Sequence, residues 1–230
     1  LVVISREQVS DFLEDLPVNK VPGVGRVSGE MLSRLGIKTL GDVKKYGEAG
    51  LIRHLGKFGT RLSELARGID RAGVEPVRPV KSVSSEKTLA EDTRDKVYLK
   101  KYLLEQAEDV GRQLRAKKLR AKTVFIKIKH SDFTQATRQA PIPRPSHSAE
   151  FLYRAAVDLL DAYSLDRPVR LVGLGATELI DSKTPVQQTL FGESADGLEK
   201  WEKIDTALDA IRQRFGRGGI RRAGSKEEND

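Results

Sequence analysis

The 230-residue sequence contains no cysteine and no apolar run that approaches the length of a membrane span. The absence of cysteine excludes disulfides and cysteine-containing zinc sites and favours an intracellular protein. A spanning helix needs about 20 consecutive apolar residues, so this sequence predicts none. Histidine is also scarce: His54, His130 and His147 lie far apart, with no carboxylate at ligand spacing beside them. We therefore expect no histidine-based metal or catalytic site.

The balance of charges is basic, with 41 Lys and Arg against 33 Asp and Glu, and a formal net charge of +8. Such a balance favours a polyanionic partner, and nucleic acid is favoured over an anionic membrane surface. The length is sufficient for two compact cores, so we expect at least two domains.

Two segments between residues 5 and 70 show the same pattern of helix, glycine-containing turn and helix. The first turn is Val21-Pro22-Gly23-Val24-Gly25 and the second is Gly56-Lys57-Phe58-Gly59. Glycine lets the backbone approach a partner closely, and the amides at the start of the following helix can bind a phosphate. A plain tight turn between packed helices is the alternative, particularly for the second copy. The predicted phosphate-binding residues are Gly23, Val24, Gly25, Gly56, Lys57 and Gly59.

Pro76 and Pro79 interrupt the helical pattern and predict a linker over residues 71–80. Beyond it, the hydrophobic periodicity predicts the order β-α-β-β-α-β. Strands are expected at 81–85, 123–131, 133–140 and 170–180, and helices at 93–118 and 146–162. The expected fold class is therefore α+β, with an all-helical part followed by a four-stranded sheet that carries two helices on one face.

The open face of this sheet is predicted to bind phosphates. Strand alternation places Lys127 and Lys129 opposite the apolar side chains, and Arg170 precedes Gly173, whose backbone we expect to be bare. Strands rich in Ser, Thr and Gln supply neutral hydrogen-bond donors. An ordinary solvated sheet face is the alternative. The predicted set is Lys81, Ser82, Ser84, Ser85, Lys127, Lys129, Thr137, Arg138, Arg170 and Gly173.

The segment Gln187-Gln188-Thr189-Leu190-Phe191 follows Pro185 and has the form of a peptide anchor. A polar residue can orient such a peptide, and two apolar side chains can fill a pocket on a partner. A Leu-Phe pair that belongs to a minor core is the alternative. Helical spacing from Leu198 to Phe215 then predicts either a docked helix or a segment that folds on binding.

The order of these parts resembles the C-terminal half of a Y-family translesion DNA polymerase of the bacterial DNA polymerase IV (DinB) type. The residues that carry the resemblance are Leu1-Val2-Val3-Ile4, the two hairpins, Ala66-Arg67-Gly68-Ile69-Asp70, and segments 81–88 and 169–174. In that family's layout they correspond to the end of a palm strand at 1–4, a helix-hairpin-helix thumb at 5–70, a linker at 71–80, a little finger at 81–181, a sliding-clamp-binding peptide at 182–192 and a helical or flexible tail at 193–230.

The resemblance implies a template-directed DNA polymerase of low fidelity that acts in the response to DNA damage. In this family, carboxylates on the palm hold two Mg²⁺ ions, and the layout places them before Leu1. The chain is thus expected to hold no catalytic residue, and to bind primer-template duplex DNA of any sequence without extending it. The backbone carbonyls of Asn19 and Val24 are a possible cation site at the first hairpin.

The implied second partner is the β sliding clamp of DNA polymerase III, with Gln187, Gln188, Thr189, Leu190 and Phe191 as the contact peptide. A bacterial, cytoplasmic, nucleoid-associated monomer is expected. A noncatalytic DNA-binding clamp adaptor and a polymerase-like accessory subunit of mutagenesis are the alternatives. A start at Leu1 within a strand favours a part of a polymerase over either of them.

Overall fold

A computed structural model describes residues 3–76, 78–185, 195–216 and 219–220. The chain divides into two compact units, Leu1–Val77 and Arg78–Asp230. Within the described residues, no helix has both the length and the apolar character needed to cross a membrane.

The first unit is entirely helical, and its core is formed by fully buried leucines that include Leu32, Leu51 and Leu62. The second hairpin joins two α-helices as expected, whereas the first follows a short 3₁₀ turn and leads into an α-helix. An additional helix lies between them, because Thr39 and Asp42 form a capping box in which each side chain binds the other residue's backbone N–H, at 3.2 and 3.0 Å. The helices are α1 (Val9–Glu14), a 3₁₀ turn (Val18–Lys20), α2 (Arg26–Arg34), α3 (Leu40–Tyr46), α4 (Glu48–Leu55) and α5 (Lys57–Ala66).

The second unit confirms the order β-α-β-β-α-β. Its four strands form one sheet in the order β1-β4-β2-β3, with every neighbouring pair antiparallel. The helices α6 and α7 cover one face of the sheet and share its hydrophobic core. The elements are β1 (Ser82–Thr93), α6 (Lys96–Ala116), β2 (Leu119–His130), β3 (Gln135–Ser146), α7 (Ala149–Asp161), β4 (Val169–Asp181) and α8 (Ala195–Phe215).

The two edge strands are longer than the sequence predicts. β1 continues past Ser85 through a charged segment, in which Lys87 pairs with Val172 of β4. β3 continues to Ser146 although it contains Pro141 and Pro143. Charged residues and prolines are tolerated at these positions because an edge strand has one side without a pairing partner.

Helix α8 is docked on the second unit, which decides between the two expectations for this segment. Asp205 is only 2% exposed and accepts a hydrogen bond of 3.0 Å from the backbone N–H of Ala149, so it caps the start of α7. Arg115 donates two hydrogen bonds to Asp209, at 2.6 and 3.0 Å. Arg212 donates one of 2.6 Å to Glu108. Ion pairs therefore hold much of this helix in place.

Candidate nucleic-acid interface

The first hairpin turns at Gly23, whose φ of +101° favours glycine. The prediction for Val24 requires a correction: its backbone N–H donates to the carbonyl of Val21 at 3.0 Å, which closes the turn, so this amide is not available to a phosphate. Gly25 is the N-cap of α2. No side chain caps this helix and its first turn contains no acidic residue. The free amides at its start, together with the positive end of the helix dipole, can accept an anion.

The second hairpin consists of a single residue between two helices, Gly56, with a φ of +57°. Helix α5 follows it, also without a side-chain cap and without an acidic residue in its first turn. The other α-helices with a described N-terminus differ. α3 and α6 have side-chain caps, and α1, α4 and α7 carry an acid in the first turn. The two hairpin helices thus share a feature that suits phosphate binding.

The two hairpins meet through Phe58, whose ring lies against Gly23. A Cβ on Gly23 would stand 2.7 Å from the Cε2 atom of Phe58, so only glycine fits there without a shift of the ring. This contact brings the starts of α2 and α5 together. The structure therefore places Gly23, Val24, Gly25, Gly56 and Lys57 in one region of the first unit.

Gly59 requires a correction. Its backbone N–H donates to the carbonyl of Gly56 at 2.9 Å, and a Cβ on it would stand 2.5 Å from the carbonyl oxygen of Leu51. Gly59 is buried and serves the close crossing of α5 over α4. Its amide is not available to a phosphate.

The open face of the sheet carries Phe125, Lys127 and Lys129 of β2, as alternation predicts, because Val124, Ile126 and Ile128 are buried under the helices. Lys127 is not free: its Nζ lies 2.8 Å from the Oε2 of Glu86 on β1. This exposed pair is salt-sensitive and contributes little to stability.

Gly173 also requires a correction, because its backbone is not bare. It pairs with Glu86 on one side and Lys127 on the other, and a Cβ on it would stand 3.0 Å from the Cβ of Glu86. The ring of Phe125 lies over Gly175 in the same way. Both glycines are buried, so they serve packing on the sheet rather than approach of a partner.

The predicted polar donors separate by face. Ser82 and Ser84 of β1, and Thr137 of β3, lie on the open face opposite Thr177, Gly175 and Lys127. Ser85 and Arg138 do not lie on the open face. Ser85 pairs with the core residue Leu174, and Arg138 pairs with the core residue Ile126. The guanidinium carbon of Arg138 is 5.2 Å from the ring centroid of Tyr163. Since adjacent strand residues point to opposite faces, Ser85 and Arg138 lie on the helix side. Lys81 is exposed just before β1.

Arg170 lies at one end of the open face. The pairing of β2 with β4 shifts between Lys129 and His130, which leaves Arg170 as the extra residue of a bulge. Its Nη1 lies 3.8 Å from the Oδ1 of Asp92. Its guanidinium carbon is 5.2 Å from the centroid of the Phe133 ring, and the Nζ of Lys129 is 4.7 Å from the same centroid. Phe133 was missed as a candidate because no apolar periodicity marks it.

Two of the predicted sites have no further structural description. The segment Gln187 to Phe191 lies outside the described residues. At the possible cation site, the structure records no side-chain ligand: no group of three or more His, Cys, Asp or Glu side chains that could hold a metal exists in the described ranges. The Asn19 and Val24 carbonyls remain a prediction.

Two family models match the chain. One, described as the impB/mucB/samB family C-terminal domain, matches residues 80–190, and the other, described as the DNA polymerase-iota thumb domain, matches residues 19–70. The second match includes both hairpins and the first includes the whole sheet.

Similar curated proteins are named DNA polymerase IV. That of Methanoculleus marisnigri is 39% identical over 76% of this chain and 48% of its own length, and that of Desulfatibacillum aliphaticivorans is 33% identical over 96% and 56%. The Bacillus velezensis protein is 32% identical over 100% and 56%. A solved Y-family DNA polymerase chimera superposes with a TM-score of 0.63 at 26% identity, over 79% of this chain and 52% of its own. The chain thus spans about half the length of the relatives it matches.

Proposed function

The chain belongs to the Y-family DNA polymerases, in the C-terminal region of the DNA polymerase IV type, and from this we propose that it grips the sugar-phosphate backbone of primer-template DNA. The first unit would act as the thumb and the second as the little finger. Phosphate contacts position a protein on DNA without reading bases, so binding is independent of sequence.

The observation that carries this proposal is the pair of helix starts at the two hairpins. Both lack a side-chain cap and an acid in the first turn, and Phe58 on Gly23 brings them together. Two neighbouring anion sites on one rigid unit suit successive phosphates of a DNA strand. On the second unit, the partly exposed Lys129 and the exposed Arg170 of the open face support the same role.

We further propose that the whole protein is a low-fidelity translesion DNA polymerase. Its catalytic carboxylates and their Mg²⁺ would lie in the half of the relatives that this chain does not match. Because those carboxylates would lie outside the matched region, we expect this region alone to bind DNA without extending it. A noncatalytic adaptor is the competing function, and sequence before Leu1 distinguishes the two: paired strand carboxylates there support the polymerase.

The duplex-binding proposal is tested by titrating the chain with labelled blunt duplexes of unrelated sequence at several salt concentrations. Affinity should fall steeply with salt, with log K linear in log salt, and should depend little on sequence. Strong preference for one sequence, or binding that salt leaves unchanged, would contradict backbone recognition.

The sliding clamp is the proposed second partner, bound through Gln187, Leu190 and Phe191. Such a tether keeps a weakly binding polymerase close to its substrate by raising the effective concentration. Replacing Leu190 and Phe191 with Ala should abolish clamp binding and leave duplex affinity unchanged. Unchanged clamp affinity would refute the tether, and a loss of duplex affinity would show instead that these residues support the fold.

A further inference from the structure

An exposed aromatic ring at the turn between β2 and β3 contributes to neither hydrophobic core. Phe133 is 62% exposed and has a φ of +65°, a left-handed conformation that is unfavourable for a bulky side chain. A strained residue held in place by its surroundings is a reason to suspect a role beyond folding.

The turn that presents the ring is tightly held. Asp132 accepts hydrogen bonds from the backbone N–H and the hydroxyl of Thr134, at 3.0 and 2.6 Å, and forms an ion pair with Arg167. These hydrogen bonds, the hydroxyl of Thr134 first, lower the pKa of Asp132 and keep it charged. The backbone N–H of Ser131 donates to the carbonyl of Pro168 at 3.0 Å. The backbone that carries the ring is therefore held against the start of β4.

Two cations lie over the ring in cation–π contact. The Nζ of Lys129 lies 4.7 Å from the ring centroid and the guanidinium carbon of Arg170 lies 5.2 Å from it. Lys129 forms no ion pair with a carboxylate among the described residues, and Arg170 faces Asp92 at 3.8 Å. We refer to Lys129, Phe133 and Arg170 as the ring cluster. It lies at one end of the sheet, where the bulge in β4 directs Arg170 toward the turn.

We propose that the ring cluster stacks on an unpaired nucleobase next to the DNA duplex, while Lys129 and Arg170 bind the phosphates on either side of that base. Inside a duplex the faces of the bases are covered by their neighbours, so an aromatic side chain can stack only on a base outside it. An aromatic ring combined with cations is the usual means of holding single strands of any sequence. This inference rests on the proposed DNA-binding function and extends it from the duplex to the adjoining single strand.

Three labelled DNAs test the proposal with the full chain: a blunt duplex, the same duplex with a short single-stranded overhang, and that overhang with abasic sites. Wild-type protein should prefer the overhang that carries bases. Phe133→Leu keeps an apolar side chain but loses the π face, so it should weaken binding to that DNA by about 5-fold or more, the lower end of measured base stacking. Phe133→Tyr should retain the preference, and blunt and abasic DNA should be bound equally by all variants.

Phe133→Gly supplies a second variant that is expected to fold, because glycine suits the left-handed backbone of this turn. It should lose the same preference. If the wild type binds the base-bearing and abasic overhangs equally, or if the variants weaken all three DNAs alike, stacking is refuted while duplex binding stands. If the wild type binds none of the three DNAs, both proposals fail.

Discussion

A carboxylate placed at the start of α2 should separate helix stability from DNA affinity. Val27 is the second residue of this helix and is 71% exposed, so Val27→Glu removes no core contact. An acid in the first turn interacts favourably with the helix dipole, and we expect it to stabilise the folded chain by about 0.3–1 kcal/mol. The same charge should repel a phosphate bound at the helix start.

The size of that repulsion follows from Coulomb's law. Two unit charges about 6 Å apart interact by about 0.7 kcal/mol in bulk water and about 2.8 kcal/mol at the effective dielectric of a protein surface. Val27→Glu should therefore raise the dissociation constant for duplex DNA by about 3- to 100-fold. Fluorescence anisotropy with a labelled duplex gives the affinity, and urea unfolding of the free protein gives the stability.

Val97 offers a matched control on the second unit. It is also the second residue of its helix, α6, and is 67% exposed, but Asp95 already caps α6 and the helix lies on the covered face of the sheet. Val97→Glu changes net charge identically, so it should leave duplex affinity almost unaltered. Equal losses of affinity in the two variants would attribute the effect to net charge alone. An unchanged affinity of Val27→Glu would refute phosphate binding at the first hairpin.

Two further predictions concern stability. Gly23→Ala should destabilise the first unit by about 1–3 kcal/mol in urea unfolding, because Gly23 has a positive φ and an added Cβ would meet the Phe58 ring. Gly29→Ala within α2 is the control: an added Cβ there meets only Val24, at 3.9 Å, so this change should stabilise the unit by up to about 1 kcal/mol. Equal effects of the two substitutions would contradict this account. Burial lowers the pKa of His147 below its ordinary 6.5, against the opposing influence of Glu202, so the unfolded chain binds the proton more readily. Thermal stability should hold above about pH 6.5 and fall below it, less steeply in His147→Gln; an identical pH profile for this variant would exclude His147 as the cause.

The architecture could be predicted from the sequence because its signals are local. The alternation along β2 and the apolar spacing of α6 and α7 each determine one element, and the hairpin glycines mark the turns between helices. Helix α3 was missed because its seven residues are too few for a clear period and begin at Leu40, next to Gly41. The charged end of β1 was missed because pairing with β4, rather than any apolar pattern, keeps it extended.

The candidate site was harder to predict because it depends on contacts between strands. Ser85 and Arg138 have suitable chemistry, but the register places them on the helix side. Gly173 was expected to be bare, and its neighbours on β1 and β2 cover it. Phe133 shows the opposite case: the turn brings its ring to the nearby Lys129, and a bulge on another strand brings it to Arg170, which is distant in sequence. The face on which a side chain lies, and whether neighbouring strands cover it, become known only when the pairing of the strands is known.

These contacts also change how the open face can bind DNA. The sequence suggests a face rich in free cations, but Lys127 is paired with Glu86, and Arg170 lies within 3.8 Å of Asp92. A phosphate that binds either cation competes with a carboxylate, which offsets part of the gain. Lys129 faces no such competition among the described residues. The helix starts of the first unit face none either, because no acid occupies their first turns. The hairpins and Lys129 should therefore contribute most of the affinity for DNA, and the paired cations Lys127 and Arg170 should contribute less.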